Sequence, residues 1–240
     1  MSTTVPQIGF DRFIHLDWVT AALEVRAGRS SVDELSAMLE AAGLSLAARK
    51  KTRTVLNRLW LEPRPELAAL AARGLEIHES ASDVSVAALS WGMAIASYPF
   101  FGKVAELVGR LSALQGDCAA AEVHRRMSET YGEREGTYRM TNMVLQSQAS
   151  WGAIERAEKG KRLIRRTPTT VQDDRAVAWL IEAALRYSGK AVSVASLPAM
   201  AVIFPFVLDR PLGYVASNSP MLELRSEGAG HQSVALASAV

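Results

Sequence analysis

Apolar positions recur at helical spacing along most of the chain and switch to an extended pattern only after Gly152. Phe13 to Arg26 predicts a first helix, with Ile14, Val19, Ala22 and Leu23 as an irregular apolar stripe and Gly28 as its stop. Ser31 followed by Glu34 is a capping-box pattern, and Val32, Leu35, Met38, Leu39 and Ala42 then form the clearest amphipathic segment. Gly43 suits a left-handed closing residue, and Ser45 can cap a third helix that runs to about Leu61, where Pro63 and Pro65 stop it. The two helices around Gly43-Leu44-Ser45 make a helix-turn-helix candidate. Pro65 to Gly74 reads as a short helix, His78 to Asp83 as a polar junction, and Val84 to Ser97 as a long apolar helix broken by Pro99. Trp91, Tyr98, Phe100 and Phe101 read as packing rather than as a ligand cage.

From Phe101 onward the order of elements is more specific than any short motif. Lys103 to Gln115 predicts a helix with Val104, Leu107, Val108, Leu111 and Leu114 apolar, stopped by Gly116 and followed by the short stretch Asp117 to Ala120. A second helix, Ala121 to Thr130, buries Val123 and Met127, and Gly132 turns the chain into a third, Glu135 to Ser150, with Met140, Met143, Val144 and Ser147 inward. Ile154 to Ala157, the turn Glu158-Lys159-Gly160, and Lys161 to Arg166 then read as a two-stranded hairpin. Three helices followed by a basic hairpin predict a winged helix, whose third helix enters the major groove while the hairpin lays cations along the phosphates.

Asp173 to Tyr187 predicts a further helix stopped by Gly189, and Ser193 to Leu208 a set of helical pieces interrupted by Pro198 and Pro205. Met221 to Arg225 and Ser233 to Ala237 read as strands across the turn Ser226-Glu227-Gly228-Ala229-Gly230. This end fits either a second, degenerate winged helix or a small partner-docking module. The expected fold class is mainly α: a helical amino-terminal module over 1–77, a winged helix over 83–167 and a small α+β carboxy-terminal module over 170–240.

Charge sharpens this picture. The net charge is only +2, yet residues 154–166 hold six basic side chains against two acidic ones, which leaves −2 for the rest of the chain. The expected DNA contacts of that hairpin are Arg156, Lys159, Lys161, Arg162, Arg165 and Arg166. Arg134, Arg139, Asn142 and Gln146 are the expected exposed side chains of the third helix, because Arg, Asn and Gln can bond base edges in pairs. Arg125 and Arg126 suit backbone contacts, and Lys50, Lys51 and Arg53 form a second basic cluster, beside Arg49 and Arg58, that reads equally as a solvated helix face.

Candidate chemistry is sparse. The sequence carries no phosphate-binding glycine loop, dinucleotide fingerprint or nucleophile elbow, and its four histidines lack ligand spacing, so neither an enzyme nor a cofactor or metal is expected. Asp173, Asp174 and Glu182 could form a magnesium-binding set, but an Asp pair opening a helix ordinarily complements its dipole. Cys118, the single cysteine, excludes an internal disulfide and reads as a buried thiol. Met1 to His15 lacks an apolar signal core, and Met200 to Leu208 is too short to span a bilayer, so a cytoplasmic protein without a membrane partner is expected.

The run Trp91-Gly92-Met93-Ala94-Ile95-Ala96-Ser97-Tyr98-Pro99-Phe100-Phe101 resembles the aromatic-Tyr-Pro-Phe segment of the BrxA family, small helical components of BREX phage-defence systems. The resemblance extends over residues 8–170: Asp17-Trp18 on an amino-terminal helix, Arg58-Leu59 closing a basic helix, and the hydrophobic turn Trp151-Gly152-Ala153-Ile154. It implies a DNA-binding accessory protein working with other defence-system proteins, and it brings no enzymatic residues. The carboxy-terminal region departs from the family. The residues alone also accommodate a winged-helix transcriptional regulator or a protein-docking adaptor of a multi-subunit complex.

Overall fold

The computed structural model describes residues 9–226 and 231–237. The chain is mainly helical, and among the described residues its short strands begin only at Asp117. Its first helices are α1 (Leu16–Arg26), α2 (Val32–Ala41) and α3 (Leu46–Leu56), the last continuing as a π-helical turn at Asn57–Leu61. The capping box closes as expected: Ser31 Oγ accepts from the Glu34 amide at 3.2 Å and the Glu34 carboxylate accepts from the Ser31 amide at 2.7 Å. The apolar stripe of α2 is narrower than its periodicity predicts. Leu35 and Leu39 are buried, but Val32 and Met38 are exposed, because α2 packs chiefly on α1 and α3 and presents one i, i+4 edge to them.

After a 3-10 turn at Pro65–Leu67, α4 (Ala68–Ser80) passes straight through Gly74, where the sequence predicts a helix end. Gly74 serves close packing instead: a Cβ there would lie 3.1 Å from both the Trp179 and the Trp60 rings. The expected polar junction at His78 is therefore helical, and His78 pairs with Glu24 on α1 at 2.9 Å. Arg29 holds the same carboxylate at 2.5 and 2.9 Å, and these two partners lower the Glu24 pKa from 4.5 to about 2. A depressed carboxylate contributes stability that is present above pH 4.5 and disappears as the pH falls toward 2. The urea midpoint should accordingly drop between pH 5 and about 2, and Glu24→Gln should flatten part of that drop; an identical acid profile for the variant would contradict this.

Helix α5 (Val86–Ser97) is the centre of the molecule and is buried almost all round. Its Trp91 donates from Nε1 to the Val202 carbonyl at 2.8 Å and meets Phe101, Phe204 and Phe206 edge-on at 5.2, 5.6 and 6.0 Å. One hydrophobic cluster runs from Phe10 to Val234 around it. Pro99 opens α6 (Pro99–Leu111), as suits a residue whose missing N–H would be unpaired there. This helix starts and ends earlier than its pattern predicts, which leaves Leu114 98% exposed.

Then follow β1 (Asp117–Ala119), α7 (Ala120–Tyr131), α8 (Glu135–Ser150), β2 (Ile154–Ala157) and β3 (Arg162–Arg165). The strands form an antiparallel sheet in the order β1-β3-β2, with Cys118 opposite Leu163 and Arg156 opposite Leu163 on the other side. Burial pushes the Cys118 thiol up to about 11, so it stays protonated at neutral pH.

β4 (Thr169–Val171) pairs in parallel with β6 (Phe206–Leu208), a strand inside the stretch expected to be helical pieces. The pieces themselves are 3-10 turns at Val194–Ala199 and Ala201–Ile203. α9 (Asp174–Ser188), β5 (Val192–Ser193), α10 (Leu212–Asn218), β7 (Leu222–Ser226) and β8 (Gln232–Leu236) complete the described chain, with a sheet in the order β5-β8-β7. Both this end and the stretch from α6 to β3 run helix, strand, helix, two strands, but here 3-10 turns and β6 stand where the earlier stretch has the full helix α7. Glu227 to Gly230, most of the expected turn, lie outside the described residues. So do residues 1–8, part of the stretch Met1 to His15 that lacks an apolar signal core. Among the described residues no helix is long and apolar enough to cross a membrane.

Candidate nucleic-acid interface

Gly132, at φ +87°, turns the chain from α7 into α8, and α8 buries Thr137, Met140, Thr141, Val144, Leu145, Ser147 and Gln148 against the core. Its opposite edge carries Tyr138 and Arg139, both exposed, and the half-buried Asn142 and Gln146. Arg134 caps its start, exposed, with Nη2 donating to the Tyr131 carbonyl at 3.1 Å.

The β2–β3 turn is tight. Glu158, Lys159 and Gly160 all have positive φ, which two non-glycine residues adopt only at a cost, and Lys159 and Lys161 are exposed at the tip. Arg156 fastens this hairpin to α8: its Nη2 donates to Asn142 Oδ1 at 2.8 Å and lies 2.7 Å from where a Gly160 Cβ would stand. A groove of about 860 Å³ opens between α8 and the hairpin, lined by Tyr138, Asn142, Arg156, Lys159, Lys161 and Arg162. His124 on α7 stacks on Tyr138 with ring centroids 4.0 Å apart, and burial, with the Arg156 charge, lowers its pKa and keeps it neutral at pH 7.

The expected cations divide into free and committed groups. Arg139, Lys159, Lys161 and Lys50 form no ion pair among the described residues. Arg125 is held by Glu122 and Glu129, and Arg126 by Glu122 at 2.9 Å. Arg162 crosses the sheet to Asp117, with Nε to Oδ2 at 3.0 Å, and lies 3.8 Å from Glu158. Arg166 stays exposed, 3.8 Å from Glu155. Arg165 turns away from solvent: its Nη2 donates to the Gly109 carbonyl at 2.9 Å and its guanidinium sits 5.0 Å from the Phe204 ring centre. In the amino-terminal cluster, Lys51 lies 3.9 Å from Asp11, Arg49 pairs with Glu40, and Arg53 donates to Asn57 and Ser36.

The carboxylates considered for magnesium are also committed. Asp173 accepts from the Ala176 amide at 2.9 Å as the cap of α9, Asp174 pairs with Arg210, and Glu182 is gripped by Arg73 and Arg186.

Two features of this surface escaped sequence reasoning. β1 joins the hairpin sheet although its three residues carry no periodic signal. Phe13 and His15 lie beside Gln146, Ala149, Ser150 and Arg156 around a shallow hollow, and Trp18 adjoins them with its ring centroid 5.8 Å from that of Phe13; their close spacing in the sequence was the one available hint. Comparison with protein-family models, curated proteins and solved structures finds no match for the chain.

Proposed function

We propose that the chain is a non-enzymatic DNA-binding accessory protein of a BREX-like phage-defence system, holding duplex DNA with a winged helix made of α6, β1, α7, α8 and the β2–β3 hairpin. The observation that carries this reading is the β1-β3-β2 sheet beside three helices, with Arg139 on the free edge of α8 and Lys159 and Lys161 uncommitted at the hairpin tip. A helix of this kind fits the roughly 12 Å major groove, where Arg139, Arg134 and Gln146 would meet base edges. Hairpin ammonium groups suit phosphates, which they bind without reading sequence. Arg125, Arg126 and Arg162 could join only by exchanging carboxylate partners for phosphates, so their net contribution is smaller.

The defence-system part rests on the sequence resemblance. Trp91, Tyr98, Phe100 and Phe101, which carry it, are all buried, so the shared signature is one of packing around α5 and α6 rather than of a site. The neutralised Arg125, Arg126 and Arg162 favour a second reading, a protein-docking adaptor. Fluorescence anisotropy with a labelled duplex of about 30 base pairs, over a salt series, separates the two. DNA binding predicts log affinity falling with log salt at a slope of roughly −2 to −3, about 0.9 per phosphate held. Absence of binding at low salt would leave the adaptor.

A further inference from the structure

The free edge of α8 does not end at Gln146. Residues Phe13 to Leu16 are stapled alongside its last turns: the Ile14 amide donates to Ser147 Oγ at 2.8 Å, the Leu16 amide to Ser150 Oγ at 3.1 Å, and Trp151 Nε1 to the Ile14 carbonyl at 3.0 Å. These bonds join positions more than 130 residues apart and fix the amino-terminal segment in register with α8. On that segment Phe13, His15 and Trp18 form a ring cluster, with centroids 5.8 to 6.1 Å apart, all partly exposed. His15 Nδ1 lies 3.3 Å from both the Asp17 amide nitrogen and an Asp17 carboxylate oxygen, which ties the ring to the start of α1.

We propose that Phe13, His15 and Trp18 are a stacking platform for an unpaired nucleobase, so that the preferred ligand is duplex DNA with a single-stranded junction beside α8. This rests on the DNA-binding reading and adds the class of DNA. Aromatic faces accept any base. The exposed carboxylate of Asp17 next to the cluster repels phosphate but not an uncharged base, which places the base and not the backbone here. Arg156 lines both this hollow and the groove along the hairpin, and so joins the two.

The test compares a continuous duplex of about 20 base pairs with the same duplex opened into a fork with unpaired arms. The natural protein should bind the fork about tenfold tighter, Trp18→Leu should bind both equally, and Trp18→Phe should keep the preference. The other four tryptophans are at most 4% exposed, so fork binding should quench Trp18 fluorescence in the unaltered protein while duplex binding should not. Changing Arg139, Lys159 and Lys161 to Ala should weaken both ligands together and leave their ratio intact. Equal affinity for fork and duplex, or a fork preference that survives Trp18→Leu, overturns the platform and leaves duplex binding standing. Binding to neither overturns both.

Discussion

Gly109→Ala should cost about 3 kcal/mol or more, at or beyond the upper end of what overpacking usually does. The added Cβ would stand 2.1 Å from the Ala201 carbonyl oxygen, a backbone atom that cannot rotate aside as a side chain can. Ala201 belongs to the 3-10 turn that α6 packs against, and the next residue's carbonyl accepts the Trp91 indole proton, so a shift there would disturb the central helix as well. Gly136→Ala in α8 is the control. Nothing lies within 4 Å of its added Cβ, and the substitution should stabilise by about 0.5 kcal/mol through the unfolded chain. Urea unfolding of both variants checks the pair; a Gly109→Ala midpoint equal to that of the natural protein would show that the α6 contact yields.

Arg73→Met combined with Arg186→Met should lose about 3 kcal/mol. Glu182 is 1% exposed, with Arg73 Nη2 at 2.8 and 2.7 Å from its two oxygens and Arg186 Nε at 2.9 Å. Removing both partners strands a carboxylate in the interface of α4 and α9, which is costly even though the two arginines are themselves about a quarter exposed. Adding Glu182→Leu should recover most of the loss, because a packed apolar group needs no partner. The double variant losing under 1 kcal/mol, or the triple variant failing to recover, would contradict this. Since Arg73 on α4 and Glu182 on α9 are 109 positions apart and both helices pack on α5, each variant should still unfold in a single transition.

Much of the helical layout was legible because its punctuation is local. Ser31 with Glu34, Ser45, Asp173 and Gly189 mark ends that need only neighbouring backbone groups, and Glu158-Lys159-Gly160 marks the hairpin in the same way. What escaped depends on distant partners. Gly74 reads as a breaker until the Trp179 ring arrives from 105 positions away, and Thr169–Val171 becomes a strand only beside Phe206–Leu208. The candidate site follows the same rule. Residue type singled out Arg139, Lys159 and Lys161, which are exposed, but only tertiary structure gives Arg162 its Asp117 partner and turns Arg165 onto Phe204. The ring cluster at Phe13, His15 and Trp18 belongs to the surface because Ser147, Ser150 and Trp151 hold it there.

The most direct measurement is the salt dependence of duplex binding for the natural protein, for Arg139→Ala/Lys159→Ala/Lys161→Ala and for Arg125→Ala/Arg126→Ala, each checked for folding by circular dichroism. Binding through α8 and the hairpin predicts that the triple variant loses about tenfold or more in affinity, with a log–log slope shallower by up to about 2.7, while the double variant changes much less. A triple variant that binds with the affinity and slope of the natural protein would contradict it.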